Sequence, residues 1–218
     1  MKALLRLDAA ECRFPGGFRL APVTLELDPG ELLLITGPSG AGKTTLLKIM
    51  TLEIPLQGGR RFFRDVDLTR PTPRQLARYR RETGIVRQEV TLLPERTIME
   101  NLQFRYYVLG TWNGRVRRDL HRLLGYFHLQ HRTQALPREL SAGERQRAEL
   151  ACAFAGHPAV IFADEPLAHL DHVHKEDVLE MMRFITSYGT AVVMATHDPR
   201  ARELPGVRLL RIREGEVR

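Results

Sequence analysis

Several features that would place a protein in a specialised class are scarce in this sequence. Its 218 residues include only two cysteines, Cys12 and Cys152, which lie far apart and lack the spacing of a metal site. This scarcity excludes a disulfide framework and suits a reducing compartment. The sequence also has no internal repeat and no low-complexity linker, so it is not that of a repeat protein. We expect a single domain with a sizeable core, because 43% of the residues are hydrophobic.

Long apolar runs are missing as well. None approaches the ~20 residues that a helix needs to cross a bilayer. The amino-terminal stretch MKALLRLDAAECRF carries charges too early for the apolar core of a signal peptide. We therefore expect a cytosolic protein for which any association with a membrane needs a partner.

Acidic residues are outnumbered by basic ones, 26 to 33, and the surplus is uneven. The stretch from Arg60 to Arg87 is rich in arginine and contains few acids. Such a surface suits nucleic acid, anionic lipid or water, and charge alone does not choose among them.

Three near-continuous apolar runs end abruptly in glycine or polar residues. Runs of this kind are typical of parallel strands that are covered on both faces. A shorter fourth run has the same form, and a pattern of antiparallel strands with turn signals at Pro15-Gly16-Gly17 and Asp28-Pro29-Gly30 precedes them all. The pattern predicts an α/β fold. The four runs are ELLLITG (31–37), GIVRQ (84–88), AVIFADE (159–165) and TAVVMATH (190–197).

A helical segment lies between the second and third of these runs. Apolar residues recur there at helical spacing, and we interpret them as a core-facing stripe rather than as a cofactor site. Pro137 breaks the chain before Ser141, and the triplet 156–158 ends the helix that follows. We predict a helical subdomain over residues ~90–156, inserted into the sheet-bearing core. The stripe consists of Val116, Leu120, Leu123, Leu124 and Phe127.

The strongest motif is GPSGAGKTT at residues 37–45. It matches the phosphate-binding loop G-x-x-x-x-G-K-[ST] and lies directly after an apolar run and before a helical pattern, which is the context that this motif requires. Its glycines let backbone N–H groups curl around an anion, and the helix amino terminus adds partial positive charge. Lys43 is placed to reach the β- and γ-phosphates of a nucleotide, and the Thr44 hydroxyl to bind Mg²⁺.

Polar side chains follow each of the other apolar runs. Ligands of an open parallel sheet bind outside the carboxyl ends of its strands, so these side chains should share one edge with the glycine loop. Asp164 is the expected second Mg²⁺ contact, and Glu165 can polarise a water for attack on the γ-phosphate. His197 and Gln88 end two further runs and complete the edge.

The stretch LSAGERQR, residues 140–147, has two interpretations. In the first, Ser141 and Glu144 form a capping box at the start of a solvated helix. In the second, the same helix start belongs to a binding site. Taken alone, the stretch leaves both open.

These motifs, in this order, resemble those of the ABC-type ATPases over nearly the whole chain. That family has an aromatic residue that stacks on adenine, the phosphate loop, a glutamine loop, a signature that begins a helix, an Asp-Glu strand, a D-loop and a switch histidine. The resemblance is specific because the signature lies a short helix before the Asp-Glu strand. The corresponding segments here are Phe14, GPSGAGKTT, Gln88, LSAGERQR, FADEP, AHLD with Asp171, and ATHD with His197.

The resemblance implies one ABC nucleotide-binding domain over residues 1–218. Its P-loop NTPase (RecA-like) core would comprise 1–89 and 157–218, with an antiparallel β subdomain and the inserted α-helical subdomain of about 90–156. Two copies would form a head-to-tail homodimer that sandwiches two ATP molecules. The signature of one copy would then face the γ-phosphate held by the other, helped by the helix dipole.

The same resemblance implies ATP and Mg²⁺ as ligands and assigns roles to individual residues. The catalytic residues would be Glu165, His197, Lys43 and Gln88, and the metal ligands Thr44, Gln88 and Asp164. The ATP-binding residues would be Phe14, Gly37, Pro38, Ser39, Gly40, Ala41, Gly42, Lys43, Thr44, Thr45, Ser141, Gly143, Glu144 and Asp171.

A narrower resemblance joins the chain to the subgroup of FtsE-like, LolD-like and MacB-like ATPases. It is carried by LLPERTIMENL (92–102) and VVMATHD (192–198), which are most similar to the FtsE type. This implies a peripheral protein at the cytoplasmic face of the plasma membrane, with an FtsX-like membrane partner that docks near residues 89–105 and a role in cell division and the control of peptidoglycan hydrolysis.

Two alternatives stay open within the family. One is the ATPase subunit of a LolD-like or MacB-like transporter of lipoproteins or small molecules, and the other is a weakly hydrolysing, ATP-gated scaffold. A nucleic-acid-binding ABC protein is not expected, because such proteins often carry tandem ATPase domains or large insertions, which this chain lacks.

The sequence departs from the family pattern at four places. Ala142 lies where a second glycine is usual, Ala168-His169 where a Ser-Ala pair is usual, and Cys152 where an arginine is usual. Leu167 replaces a threonine. The methyl group of Ala142 would crowd a backbone that approaches phosphate, although alanine is a good helix former. The resemblance thus implies an ATPase that binds ATP and hydrolyses it to ADP and phosphate, and it leaves open whether these departures slow hydrolysis.

Overall fold

Strands and helices alternate along the chain, as the sequence predicts for an α/β protein. The computed structural model describes residues 3–89 and 91–217, so Val90, in the predicted docking segment and at the start of the predicted helical subdomain, lies outside the described residues. The strands are β1 (Leu5–Arg13), β2 (Arg19–Leu27), β3 (Leu32–Thr36), β4 (Gly58–Phe63), β5 (Val66–Asp67), β6 (Thr83–Val86), β7 (Val160–Asp164), β8 (Ala191–Ala195), β9 (Val207–Arg213) and β10 (Glu216–Val217). The α-helices are α1 (Lys43–Met50), α2 (Pro73–Glu82), α3 (Ile98–Leu109), α4 (Gly114–Tyr126), α5 (Ala142–Phe154) and α6 (His172–Ser187).

The four apolar runs form neighbouring strands of one sheet. Its strand order is β10-β9-β3-β8-β7-β6, in which β9, β3, β8, β7 and β6 run parallel and β10 pairs antiparallel with β9. The carboxyl ends of β3, β8 and β7 are therefore adjacent. This placement confirms the predicted parallel strands and brings the residues that follow them to one edge.

A second sheet contains the predicted antiparallel strands. Its order is β2-β1-β4-β5, and its described pairs β1·β2, β1·β4 and β4·β5 are antiparallel. The turn signals around Pro15-Gly16-Gly17 and Asp28-Pro29-Gly30 lie at the ends of β2, where the chain reverses or passes on to β3. The antiparallel prediction is confirmed.

The main sheet is covered on both faces, which explains why its strands read as continuous apolar runs. Leu33, Phe162 and Val193 face a core shared with α1 and the antiparallel sheet. Leu34 and Val192, one register position away, face a core shared with the helices α3 to α6. Alternate residues of each strand thus pack into different cores, and the side chains on both faces of the sheet can therefore be apolar.

The helices α3, α4 and α5 lie in the segment between β6 and β7, within the predicted helical subdomain of about 90–156. Leu120, Leu124 and Phe127 are fully buried, as predicted for the stripe, whereas Val116 and Leu123 are partly buried. Because α5 packs in the same core as one face of the main sheet, the division into core and subdomain stays a prediction. In the part of the chain that is described, no helix is both long enough and apolar enough to cross a membrane.

Arg61 holds the antiparallel sheet against the end of α1. It is 3% exposed, and its guanidinium donates to the backbone carbonyls of Leu68, Ile49 and Ile54. Burial lowers the pKa of Arg61 to about 10, so the side chain still carries its charge at neutral pH. Two of these bonds add donors to carbonyls at the end of α1 and in the turn after it, and the third connects to Leu68.

We expect the substitution Arg61→Met to lower the free energy of unfolding by about 2–4 kcal/mol, because it removes the side-chain donors from three backbone carbonyls. Urea unfolding of the nucleotide-free chain measures the change. The neighbouring Arg60 is exposed, and Arg60→Met should change stability by less than about 0.5 kcal/mol. Equal effects of the two substitutions would contradict the role assigned to Arg61.

Candidate phosphate-binding site

The glycine loop connects the end of β3 to the start of α1, as the motif predicts. At Gly37 a Cβ atom would lie 2.1 Å from the backbone oxygen of Ile212, so the loop passes too close to β9 for any side chain. Gly42 caps α1 with a φ of 111°, in the left-handed region that favours glycine. The loop thereby presents the amino terminus of α1, where backbone N–H groups and the helix dipole favour an anion.

Lys43 lies across this loop. Its Nζ atom donates to the carbonyls of Gly37 at 3.0 Å and Pro38 at 3.1 Å, and it lies 3.7 Å from Oε1 of Glu165. The side chain is 8% exposed, so the positive charge is held in place rather than free in solvent. It can therefore attract phosphate oxygens with little loss of conformational freedom.

Thr44 and Asp164 meet through a hydrogen bond, although 120 positions separate them in the chain. The Thr44 hydroxyl donates to Oδ1 of Asp164 over 3.1 Å. Burial raises the pKa of the Asp164 carboxyl, the Thr44 hydrogen bond opposes this, and the charge of Glu165 adds to it. Two oxygen atoms of these types, close together at the amino-terminal end of α1, are a suitable donor set for Mg²⁺.

Glu165 lies between Lys43 and His197. Its Oε1 atom is the one near Lys43, and its Oε2 atom lies 3.0 Å from Nδ1 of His197. The backbone of Glu165 has a φ of 48°, which is uncommon for a residue other than glycine and occurs most often at functional sites. This carboxylate is positioned to orient a water near a bound phosphate, and its two neighbours fix where it points.

These residues surround a cleft of about 690 Å³. The predicted residues that line it are Ser39, Gly40, Gly42, Lys43, Thr44, Thr45, Gln88, Glu165 and His197. The carbonyls of Gly37 and Pro38 accept hydrogen bonds from Lys43, and Ala41 is buried within the loop. Asp164 does not line the cleft itself but is hydrogen-bonded to Thr44, which does.

The predicted adenine-stacking residue, Phe14, is not among the residues that line the cleft. Phe18, which no sequence motif marks, lines the cleft instead. A Cβ atom placed on Gly42 would lie 2.9 Å from the Phe18 ring. The two rings are 6.1 Å apart, and Phe14 is 37% exposed. Stacking of Phe14 on adenine stays a prediction, and the aromatic ring nearest the phosphate loop is Phe18.

Lys175 and Asp198 also line the cleft without having been predicted. The Lys175 ammonium lies 2.9 Å from the Asp198 carboxylate and so connects the start of α6 to the loop that carries His197. Asp198 follows the histidine directly, but Lys175 has no sequence signal of its own because the fold alone brings it there.

The signature begins α5, away from this cleft. Ser141 caps the helix: its Oγ accepts from the N–H of Glu144 at 3.1 Å, and Glu144 Oε2 accepts from the N–H of Ser141 at 2.8 Å. The capping box is therefore formed as predicted. Neither Gly143 nor Asp171 lines the cleft either, so a single copy does not bring the signature to its own phosphate loop.

A histidine fills the space beside the signature glycine. A Cβ atom at Gly143 would lie 2.1 Å from Cδ2 of His174, in α6. The His174 ring is held by the Asp171 carboxylate, which lies 2.8 Å from its Nδ1 atom. Gly143 therefore permits close packing of α5 on α6, in addition to any role toward phosphate.

Comparison with known proteins decides the family. The family model described as "ABC transporter" matches residues 20–168 of this chain. The chain belongs to the ABC transporter ATPase family. The predicted fold class and the predicted ATPase activity are thereby confirmed, and nucleotide is its ligand class.

Several members of the family are similar to this chain over most of its length. The chain is 32% identical over 202 residues to the cell division ATP-binding protein FtsE of Streptococcus pneumoniae, a match that covers 93% of this chain and 88% of the relative. FtsE of Bacillus subtilis is also 32% identical, over 205 residues that cover 94% and 90%. An uncharacterized ABC transporter ATP-binding protein of Mycobacterium tuberculosis is 38% identical over 191 residues, which cover 86% of this chain and 58% of that longer relative.

Solved structures agree with this assignment. The dimeric ABC cassette MJ0796 in a post-hydrolysis state with ADP and Pi has a TM-score of 0.85 at 27% identity, covering 98% of this chain and 96% of that one. CbiO1 of Clostridium perfringens has a TM-score of 0.89 at 22% identity, which supports the fold alone.

We expect Gly143→Ala to lower the free energy of unfolding by about 1–3 kcal/mol, since the added methyl group would overlap the His174 ring. Adding His174→Ala to the same chain should recover most of this loss, because it opens the space. Urea unfolding without nucleotide measures both effects.

Gly125→Ala is the matched control, because Gly125 also lies in a helix and nothing surrounds its Cβ position within 4 Å. Alanine there should be neutral or stabilise by up to about 1 kcal/mol. A Gly143→Ala chain as stable as the unmodified one would show that α5 and α6 are not tightly packed at this point.

Proposed function

We propose that this chain is the ATP-hydrolysing subunit of a membrane-associated complex of the FtsE type. The observation that carries the proposal is the Glu165 carboxylate between Lys43 and His197, with Thr44 and Asp164 beside it. The identity of about a third with FtsE over most of both chains supports the branch.

In this proposal the residues of the cleft act mainly by position and charge. Lys43 neutralises the phosphate oxygens that enter the loop, and Glu165 orients water and accepts its proton. His197 contacts the γ-phosphate, and its Nδ1 atom forms a hydrogen bond with the Glu165 carboxylate. Thr44, Asp164 and Gln88 would hold Mg²⁺, which supplies charge neutralisation at the β- and γ-phosphates.

The ATP site is completed by a second copy of the chain in the proposed head-to-tail homodimer. Ser141 and Gly143 lie at the amino terminus of a 13-residue helix and not at the cleft of their own copy. ABC cassettes dimerise, and the structure of MJ0796 with ADP and Pi is described as dimeric. We infer that Ser141, Gly143 and Asp171 act at the cleft of the partner copy.

The membrane partner would dock in a groove of about 530 Å³ beside α3, between α2 and α5. Phe104 and Val108 line it and are 53% and 54% exposed, an unusual degree for large apolar side chains on one helix face. The groove overlaps the predicted docking segment 89–105, and it lies close to β6, which leads directly to Gln88. An FtsX-like protein is the proposed occupant.

A transporter subunit of LolD or MacB type is the second candidate. The 38% identity to an uncharacterized ABC transporter ATP-binding protein of Mycobacterium tuberculosis, of which the chain covers 58%, favours a transporter subunit in general. The residues of the cleft serve both functions equally, because they act on ATP and not on a cargo.

We expect Glu165→Gln to lower the rate of ATP hydrolysis by about 10²–10⁴-fold while ATP still binds, because the amide cannot accept a proton from water. ATP should then accumulate in a dimer. Phosphate release measures the first effect and light scattering after gel filtration the second. Lys43→Ala is the contrasting variant and should lose both ATP binding and dimer formation. Normal hydrolysis by Glu165→Gln would show that Glu165 has been assigned the wrong role.

We expect Phe104→Glu to reduce recovery of the membrane partner from native membranes in mild detergent at least tenfold, since it places a charge in an apolar interface. The ATPase rate of the isolated chain should not change. Val66, 39% exposed on β5, provides the control Val66→Glu, which should retain the partner. Mass spectrometry of the captured protein separates the two candidates: an FtsX-like partner supports the first, and a larger permease supports the second.

A further inference from the structure

The signature helix carries a carboxylate in its first turn, and both oxygen atoms of that carboxylate are engaged. Glu144 Oε2 accepts from the backbone N–H of Ser141 at 2.8 Å. Its Oε1 atom accepts from Nε of Arg132 at 2.8 Å and lies 3.3 Å from Nε2 of His131. Two side chains of the turn Gln130–Arg132 therefore converge on this residue from outside the helix.

Glu144 is ionised at any physiological pH. Burial alone would raise its pKa, but the hydrogen bonds from Ser141 and Arg132 outweigh burial and lower it to about 2. A negative charge in the first turn stabilises the helix itself. The same charge would repel a phosphate that approaches the same end of the helix, because like charges at this range interact unfavourably unless they are neutralised.

We propose that Arg132 is a positioning residue of the composite ATP site: it neutralises the Glu144 carboxylate and holds it back, so that the amino terminus of α5 can receive the γ-phosphate of ATP bound by the other copy. This inference rests on the proposed head-to-tail dimer. It adds a residue from the turn before the signature, which contributes no atom to the cleft of its own copy.

The contacts of Arg132 suit this role. Within residues 3–89 and 91–217, Glu144 is the one side chain that forms an ion pair with its guanidinium, which is 40% exposed. Arg145, the next basic residue of the helix, instead donates from its side chain to the carbonyl of Leu140 at 2.7 Å. Neutralisation of Glu144 therefore depends chiefly on Arg132.

The test compares four proteins that all carry Glu165→Gln, so that ATP-bound dimers accumulate. One has no further change, and the others carry Arg132→Gln, Glu144→Gln or both substitutions. The measured quantity is the ATP concentration that gives half-maximal dimer by light scattering. We expect Arg132→Gln to raise this concentration about tenfold, which is the size expected of one uncompensated charge near phosphate in a partly solvated site.

The decisive comparison is between the two proteins that carry Glu144→Gln. With no carboxylate to neutralise, adding Arg132→Gln to Glu144→Gln should change the half-maximal ATP concentration by less than about twofold. Arg132→Lys, which keeps the charge, should recover most of the loss. Arg138→Gln removes an exposed arginine from the next turn and should have no effect.

Binding of a fluorescent ATP analogue to the monomer should be the same in all four proteins, because the phosphate loop is unchanged. Within each Glu144 background, Arg132→Gln should change thermal unfolding little, because the Arg132 side chain is 40% exposed. An equal loss of dimer from Arg132→Gln in both Glu144 backgrounds would show a merely structural role and overturn the inference. No loss in either would overturn it too. Failure of all four proteins to dimerise with ATP would instead overturn the proposed function.

Discussion

The structure depends on one carboxylate held between two neighbours. Glu165 lies 3.7 Å from the Lys43 ammonium and 3.0 Å from the His197 ring, so each of its carboxylate oxygens has a partner. Lys43 begins the helix that follows the loop after β3, and His197 lies in the loop after β8. The arrangement exists because β7, which precedes Glu165, pairs with β8 and β8 pairs with β3. The left-handed backbone at Glu165 costs free energy, which the surrounding sheet offsets by fixing both flanking segments.

In the proposed dimer, the cleft around this carboxylate is half of an ATP site. The phosphate loop, Glu165 and His197 line this cleft in one copy, whereas Ser141 and Gly143 begin a helix elsewhere. Three features order the start of that helix: a capping box, a glycine packed against His174, and a carboxylate paired with Arg132. Each of these features orders a helix end that has no ligand within its own copy. This is the physical reason to infer that association, and not folding alone, completes the active site.

Much of the fold and of the cleft could be predicted, because both follow from parallel strands that are buried on both faces of their sheet. Strands buried on two faces must be apolar throughout, so the residues at which ELLLITG and AVIFADE turn polar mark the edge where Lys43, Asp164 and Glu165 meet. Contacts between distant surface elements could not be predicted in this way. Phe14 and Phe18 flank the same turn, and only its conformation decides which ring lies against Gly42. Arg132 carries no signal at all, because its partner Glu144 is explained locally by the cap.

In the proposed dimer, each ATP site takes its phosphate loop from one copy and its signature from the other. A mixture of two inactive chains, Lys43→Ala and Ser141→Arg, tests this arrangement, because a mixed dimer contains one intact site and one that is doubly defective. We expect each chain alone to hydrolyse almost no ATP and the equimolar mixture to regain a clearly measurable rate, up to about half of the unmodified one, because each mixed dimer contains one intact site of two. A mixture as inactive as its components would contradict the claim.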